Sequence, residues 1–161
     1  MKERNYIMIA RRVRDPYNKK GKRNESNTSQ YDYNCGGYAF KTFSWLHPSK
    51  SYNTNNYGEC HNSYQRAKVR EVCIAHLLRT VPRIRVIKRN DPIAEDEYRV
   101  AFRLADFDFH FLREEKDGTW MHKAGSSEIK VFQGNPFGRR WMRADGEYYY
   151  GKVVLFAVKD R

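Results

Sequence analysis

The stretch that most constrains this chain runs from Asp106 to Ala124, because it fixes both a period and a reversal. Asp106, Asp108 and His110 alternate with Phe107, Phe109 and Phe111, so polar and aromatic groups fall on opposite faces of one strand. Thr119 to Lys123 supplies a second strand. Between them, Glu115-Lys116-Asp117-Gly118-Thr119 suits a three-residue hairpin loop, a type I turn closed by Gly118 in the left-handed conformation. That register pairs Glu115 with Thr119, Leu112 with His122 and His110 with Ala124. His110 and His122 then share a face as diagonal neighbours, roughly 7–8 Å apart at the backbone. A two-residue Asp117-Gly118 loop would put them on opposite faces, since a slip of one residue flips every side chain. The turn type decides whether the two imidazoles meet.

The strand period extends beyond the hairpin. Ile84 to Lys88 alternates apolar and basic residues, and Tyr98 to Arg103 does likewise after a turn at Asn90-Asp91-Pro92. Ile129 to Phe132 and Lys152 to Lys159 add further strands, and Asp145-Gly146 marks another turn. Upstream the spacing is helical. Cys35 to His47 reads as a helix stopped by Pro48, with Asn34 or Asp32 as its cap. Tyr38, Ala39, Thr42, Phe43, Trp45 and Leu46 form its apolar arc, with Cys35 near the middle and Lys41 and Ser44 opposite. A second helix starts at a loose capping box, Asn62 with Gln65, and runs to about Thr80 with Val69, Val72, Cys73, His76 and Leu77 inward. Two helices followed by an antiparallel sheet define an α+β fold. Asn5 to Val13 reads as an edge strand, Lys19 to Gln30 as a solvated loop free to move, and Pro48 to His61 as a long polar loop of the kind that borders sites.

At 161 residues the chain fits one domain, 1–161, with a basic N-terminal segment at 1–30 and a catalytic core at 31–161. Three cysteines, at 35, 60 and 73, make a poor disulfide framework and point to reduced thiols in a cytoplasmic protein. The apolar run Tyr6 to Ala10 is too short for a signal segment, and no stretch reaches the length that spans a bilayer. Lys and Arg total 31 against 19 Asp and Glu, a formal charge of +12. That excess favours an anionic partner, nucleic acid or an acidic surface, without naming one.

The chemistry centres on Asp32-Tyr33-Asn34-Cys35-Gly36-Gly37-Tyr38. A helix N-terminus and a neighbouring imidazolium both favour a thiolate. Cys35 has the first, and His110 can supply the second. A third polar group must hold that imidazole in a productive tautomer; His122 is placed to do so, with Asp108 as the competing residue. The Cys35 N–H is a natural oxyanion donor, and Gly36 and Gly37 let a substrate approach closely.

In its order, a cysteine at a helix start, then a histidine on a strand, then a polar residue on the next strand, residues 31 to 124 resemble the papain-like superfamily in its compact NlpC-type and CHAP-type forms. The resemblance implies an antiparallel sheet packed on the cysteine helix and thiolate acyl transfer on an amide or isopeptide bond of a protein or peptide. Cys35 then matches the nucleophile, His110 the general base and His122 the orienting residue. Tyr33 matches an aromatic hydroxyl on the oxyanion side in some relatives. Where the family usually reads Asp-Cys-Ser-Gly, this chain has Asn34-Cys35-Gly36-Gly37, and the strand after His110 is more charged. No cofactor is implied.

Other constellations are weaker. Cys73 and His76, with Cys60-His61 before them, offer zinc-type donors but lack a Cys-x-x-Cys pair, so no metal is expected. Gly134 to Gly138 is not followed by the Gly-Lys of a phosphate loop. Arg139-Arg140-Trp141-Met142-Arg143 and Tyr148-Tyr149-Tyr150 mix cations with aromatics, as single-strand nucleic-acid binders do. Arg139, Arg140, Trp141 and Arg143 are thus the contacts of the alternative: a non-enzymatic basic protein, of the phage-inhibitor kind among others, that engages nucleic acid or a nucleoprotein complex. The same residues also fit core aromatics and solvated strand ends.

Overall fold

In the computed structural model, residues 23–49, 63–105, 108–143, 146 and 148–160 are described. Two helices come first, α1 (Cys35–Ala39) and α2 (Ser63–Thr80). Seven strands follow: β1 (Ile84–Ile87), β2 (Glu97–Leu104), β3 (Phe109–Glu114), β4 (Trp120–Lys123), β5 (Ile129–Val131), β6 (Trp141–Met142) and β7 (Tyr148–Lys159). They form an antiparallel sheet in the order β1-β7-β2-β3-β4-β5, and β6 pairs with β7 beside that path. The architecture is α+β, with one short and one long helix against a dominant sheet. The expected edge strand at 5–13, and residues 50–62 of the polar loop, lie outside the described residues.

Strand alternation sorts the core into two layers. Val100, Phe102 and Leu104 of β2, Phe109 and Phe111 of β3 and Val154, Phe156 and Val158 of β7 meet Cys35, Ala39 and Phe40 of α1 and Cys73 and Leu77 of α2. On the other face Ala101, Leu112, Leu155 and Ala157 meet Phe132, Trp141 and Tyr149. Both faces of β2, β3 and β7 are therefore covered, which is why residues 154–158 are buried without interruption. Of the residues expected inward on α2, Cys73 and Leu77 are buried and Val69 packs on the same cluster, whereas Val72 is 53% exposed.

The hairpin takes the three-residue turn. Gly118 has φ 88°, its N–H donates to the Glu115 carbonyl at 2.9 Å, and the Glu115 N–H donates to the Thr119 carbonyl at 2.8 Å. Arg113 stands opposite Met121 and Glu114 opposite Trp120, the register that places His110 and His122 on one face. Arg113, on the α1 side, lies 3.9 Å from the Tyr38 ring centroid, donates to the Tyr38 carbonyl at 3.0 Å and bonds Glu115 at 2.6 Å. It ties the cysteine helix to the hairpin.

The helix expected to reach His47 ends at Ala39. The cause is Asn34. Its Oδ1 caps the Gly37 N–H at 3.2 Å and also accepts from the Leu46 N–H at 3.0 Å, while its Nδ2 donates to the Leu46 carbonyl at 2.8 Å. One side chain thus binds both ends of a chain reversal. To close it, Lys41 and Phe43 adopt φ of 57° and 52°, a conformation that costs a non-glycine residue about 1–2 kcal/mol each. A Cβ on Gly37 would stand 2.0 Å from the Ser44 carbonyl oxygen, and one on Gly36 2.8 Å from the Leu46 side chain. The glycines admit the chain's own return path rather than a substrate. Trp45, placed on the inward arc of a longer helix, is instead 49% exposed. Within the segment expected to be a free loop, Asn24 Oδ1 accepts from the N–H groups of Ser26 and Asn27 at 2.9 and 3.0 Å, forming an ordered turn.

Asn34→Ala removes a helix cap and two further hydrogen bonds, and should lower unfolding stability by roughly 2–4 kcal/mol. Gly37→Ala should be at least as damaging, because its obstacle is backbone. Urea denaturation of both variants checks this; a loss under 0.5 kcal/mol for Asn34→Ala would contradict the clamp.

Candidate active site

The two histidines meet. His110 Nε2 and His122 Nδ1 are 2.8 Å apart, with the rings nearly perpendicular at 81°. His110 is buried at the β3 end nearest Asp108, and its ring lies parallel to Tyr149, centroids 5.4 Å apart and planes 13° from coincidence. Trp141 closes the same pocket edge-on at 6.4 Å, and Phe132 packs against His122 at 5.5 Å. In-plane rotation of the His110 ring is fixed by His122 and tilting by Tyr149, so the imidazole has one orientation.

Asp108 does not bond the imidazole. Its Oδ2 accepts from the Tyr149 hydroxyl at 2.8 Å, its Oδ1 accepts from the Phe109 N–H at 2.8 Å, and Arg143 stands 3.9 Å from Oδ2. Of the two residues that the sequence offered as partners of the His110 ring, His122 is the one at hydrogen-bond distance, and Asp108 anchors Tyr149. Tyr149 is the residue that the sequence reading missed. Its only signal was an aromatic triplet, read there as a stacking surface for bases.

Cys35 begins α1 and is buried on the α1 face of the sheet, while His110 belongs to the opposite face. Among the described residues the thiol makes no hydrogen bond to either imidazole. The geometry between them depends on β4. Its pairing with β3 ends at Arg113–Met121, and beyond that point His122 and Lys123 pair with Lys130 and Ile129 of β5. Where the ladder ends, the backbone N–H of Phe111, next to His110, faces the Cys35 sulfur instead of β4. A charge on the Cys35 sulfur would also raise Tyr149, whose ring stacks on His110. Cys35 therefore lies at the opening between β3 and β4, beside the amide that follows the histidine.

Electrostatics correct one expectation. A helix start was expected to depress the thiol, but burial pushes Cys35 up to about 12, with the Asp108 charge adding to the rise. The Phe111 and Gly36 N–H groups and the Lys123 charge pull the other way and do not win. A five-residue helix carries little dipole, and desolvation of a buried anion exceeds it. Burial holds His110 neutral, down to about 3, with His122 adding to the effect; His122 is lowered by burial and by the Lys130 charge. The resting site is a neutral thiol near a pair of neutral imidazoles.

The remaining sequence candidates fall elsewhere. Tyr33 is buried against Phe43, 5.2 Å away edge-on, and its hydroxyl bonds neither Cys35 nor the histidines. Trp141 is 1% exposed, and its indole N–H donates to the Pro136 carbonyl at 2.8 Å, so it cannot stack on a base. That corrects its assignment as a nucleic-acid contact: Trp141 is core. Arg139 and Arg140 are exposed, with Arg140 over the Tyr148 ring at 3.9 Å, and Arg143 leans on Tyr149 and Asp108. Among the described residues no three His, Cys, Asp or Glu side chains gather as a metal site; Cys60 and His61 lie outside them. Among the same residues, no helix is long and apolar enough to cross a membrane. The chain matches no protein-family model, no curated protein and no solved structure.

The depressed His110 sets an acid limit. Between about pH 6.5 and about 3 the unfolded chain binds a proton that the folded chain refuses, so stability falls as pH falls through that window. One such group contributes a slope of up to ~1.4 kcal/mol per pH unit. His110→Gln should flatten the acid limb by that amount, as read from urea midpoints at pH 4, 5, 6 and 7. An unchanged limb would show that His110 is not buried neutral.

Proposed function

We propose that the protein is a thiol-dependent hydrolase or acyl-transferring enzyme acting on an amide, thioester or isopeptide bond, with Cys35 as nucleophile, His110 as base and His122 as its orienting partner. The supporting observation is the 2.8 Å pair between His110 Nε2 and His122 Nδ1. Such a pair leaves Nδ1 as the His110 atom that can take a proton, and Cys35 faces the backbone amide of the next residue, Phe111.

Only one tautomer is productive. If His110 Nε2–H donates to His122 Nδ1, the Nδ1 of His110 keeps its lone pair and can accept the thiol proton. The reverse tautomer protonates Nδ1 and blocks it. The Lys130 charge near His122 and burial of both rings disfavour a cationic pair, so the base works from the neutral state.

The steps follow from those positions. The Cys35 S–H proton moves to His110 Nδ1 and the sulfur attacks the substrate carbonyl carbon. The Cys35 N–H, first in its helix and without an acceptor inside it, is the oxyanion donor in this scheme. The C–N bond breaks as His110 returns its proton to the leaving amine. Water or another amine then gives a proton to His110 and attacks the thioester carbonyl. The C–S bond breaks and the Cys35 thiolate takes the proton back, giving hydrolysis or transfer. The thiol and imidazole, unbonded in the free protein, must close on each other when substrate binds, as catalytic hydrogen bonds often do.

The binding alternative rests on charge and loses Trp141 and Tyr149 as stacking residues to burial.

Labelling by peptidyl electrophiles at pH 7.5 tests the proposal, with the buried Cys73 as internal control. Cys35 should be labelled faster than Cys73. His110→Ala should slow it about 10²–10⁴-fold, and His122→Ala, which releases the ring, about 10²-fold. Equal labelling of both cysteines, or a rate indifferent to His110→Ala, overturns the assignment.

A further inference from the structure

Lys123 follows His122 on β4 and is wholly buried, at 0% exposure. Its ammonium has three protons, and all three go to neutral carbonyls: those of Gln30, Tyr33 and Gly125, the last at 2.6 Å. It also lies 4.5 Å from the Tyr33 ring centroid. Among the described residues no carboxylate forms an ion pair with it; Asp32 acts on it only at longer range. A buried cation without a counter-anion is expensive, and stands in a fold only where something else requires it.

Its position suggests what does. Continuing the hairpin count from Arg113–Met121 and Glu114–Trp120, Lys123 stands opposite Phe111, at the opening where the ladder ends and Cys35 faces the Phe111 amide. The Tyr33 carbonyl that it binds lies two residues before Cys35. Once Cys35 ionises, its charge and that of Lys123 stabilise each other.

We infer that Lys123 is a positioning residue for the nucleophile: its buried ammonium holds the Tyr33–Cys35 segment to β4 and is the counter-charge for the thiolate that forms at Cys35. The inference rests on the proposed role of Cys35. When the Cys35 proton passes to His110 Nδ1, the sulfur becomes an anion in a buried site. The Phe111 and Gly36 N–H groups and the Lys123 charge favour that anion, and desolvation opposes it. Asp108 raises the thiol, Tyr149 and Tyr33 are neutral, and both imidazoles begin uncharged. Lys123 is the cation on the other side of that balance. Burial lowers Lys123 itself to about 8, so its charge is present at neutral pH and is lost as the pH rises through that value, unless the thiolate retains it.

The test compares iodoacetate with iodoacetamide at Cys35, since the first is anionic and the second neutral. In the wild-type protein at pH 7 the iodoacetate-to-iodoacetamide rate ratio should exceed that of free cysteine severalfold, and should fall as pH rises from 7 to 9. Lys123→Arg, which keeps the charge, should preserve the ratio. Lys123→Met should bring it to the free-cysteine value, slowing alkylation by iodoacetate at pH 7 more than alkylation by iodoacetamide. Should Lys123→Met fail to fold by circular dichroism, the wild-type pH series and Lys123→Arg decide. A wild-type ratio equal to that of free cysteine and constant with pH overturns the inference. If that result comes with labelling still dependent on His110, only Lys123 loses its role; if His110→Ala is also without effect, the nucleophile assignment fails with it.

Discussion

The register of the β3–β4 hairpin is the constraint on which the rest of the site depends. Gly118, at a positive φ that other residues resist, closes a three-residue turn and sets Arg113 opposite Met121. Every side chain on the two strands is sorted by that one choice. His110 and His122 fall on one face with Trp141, Tyr149 and Phe132, while Phe111, Arg113 and Lys123 fall on the face that receives α1. A turn one residue shorter would carry His122 to the α1 side and leave Lys123 among the aromatics. The pairing of the imidazoles and the docking of the cysteine helix are two consequences of one reversal.

The polar groups so placed are unusually deep. Arg113, Lys123, His110 and Asn34 are all buried, and each bonds the backbone, a carboxylate or another ring. Their bonds join segments far apart in the chain: Asn34 to Leu46, Arg113 to Tyr38, Lys123 to Gln30 and Tyr33. Apolar packing alone would hold the sheet, but it would not fix the first turn of α1 against the end of β3. Burial also explains the neutral resting state, since desolvation raises the thiol and lowers both imidazoles. On the proposed function, ionisation then belongs to the reaction and not to the free protein.

Much of this was legible in the chain. Alternation gave the strands, the Glu115–Thr119 turn gave the hairpin register, and that register placed the two histidines together. Helix length at Cys35 was not legible. The apolar spacing through Leu46 satisfied a helix of three turns, and nothing local showed that Asn34 would reach Leu46 and fold the segment back. The Arg-Arg-Trp-Met-Arg run was equally ambiguous, because a tryptophan among arginines has one composition whether it faces a base or a core. Only the pairing of Trp141 with Tyr149 in β6 and β7 puts it inside. Lys123 gave no sign at all, since a lysine ending a strand is ordinarily solvated.

By itself, then, the sequence determined what depends on neighbours a few residues away: periods, turns, and which side chains share a face of a hairpin. Tertiary structure decided what depends on distant partners, namely where α1 stops, which aromatic is core, and how far the thiol is desolvated. The physical division is one of range. Backbone geometry and side-chain alternation act within a turn or a strand, whereas burial, and with it the charge state of Cys35, His110 and Lys123, exists only once segments remote in sequence have closed over them.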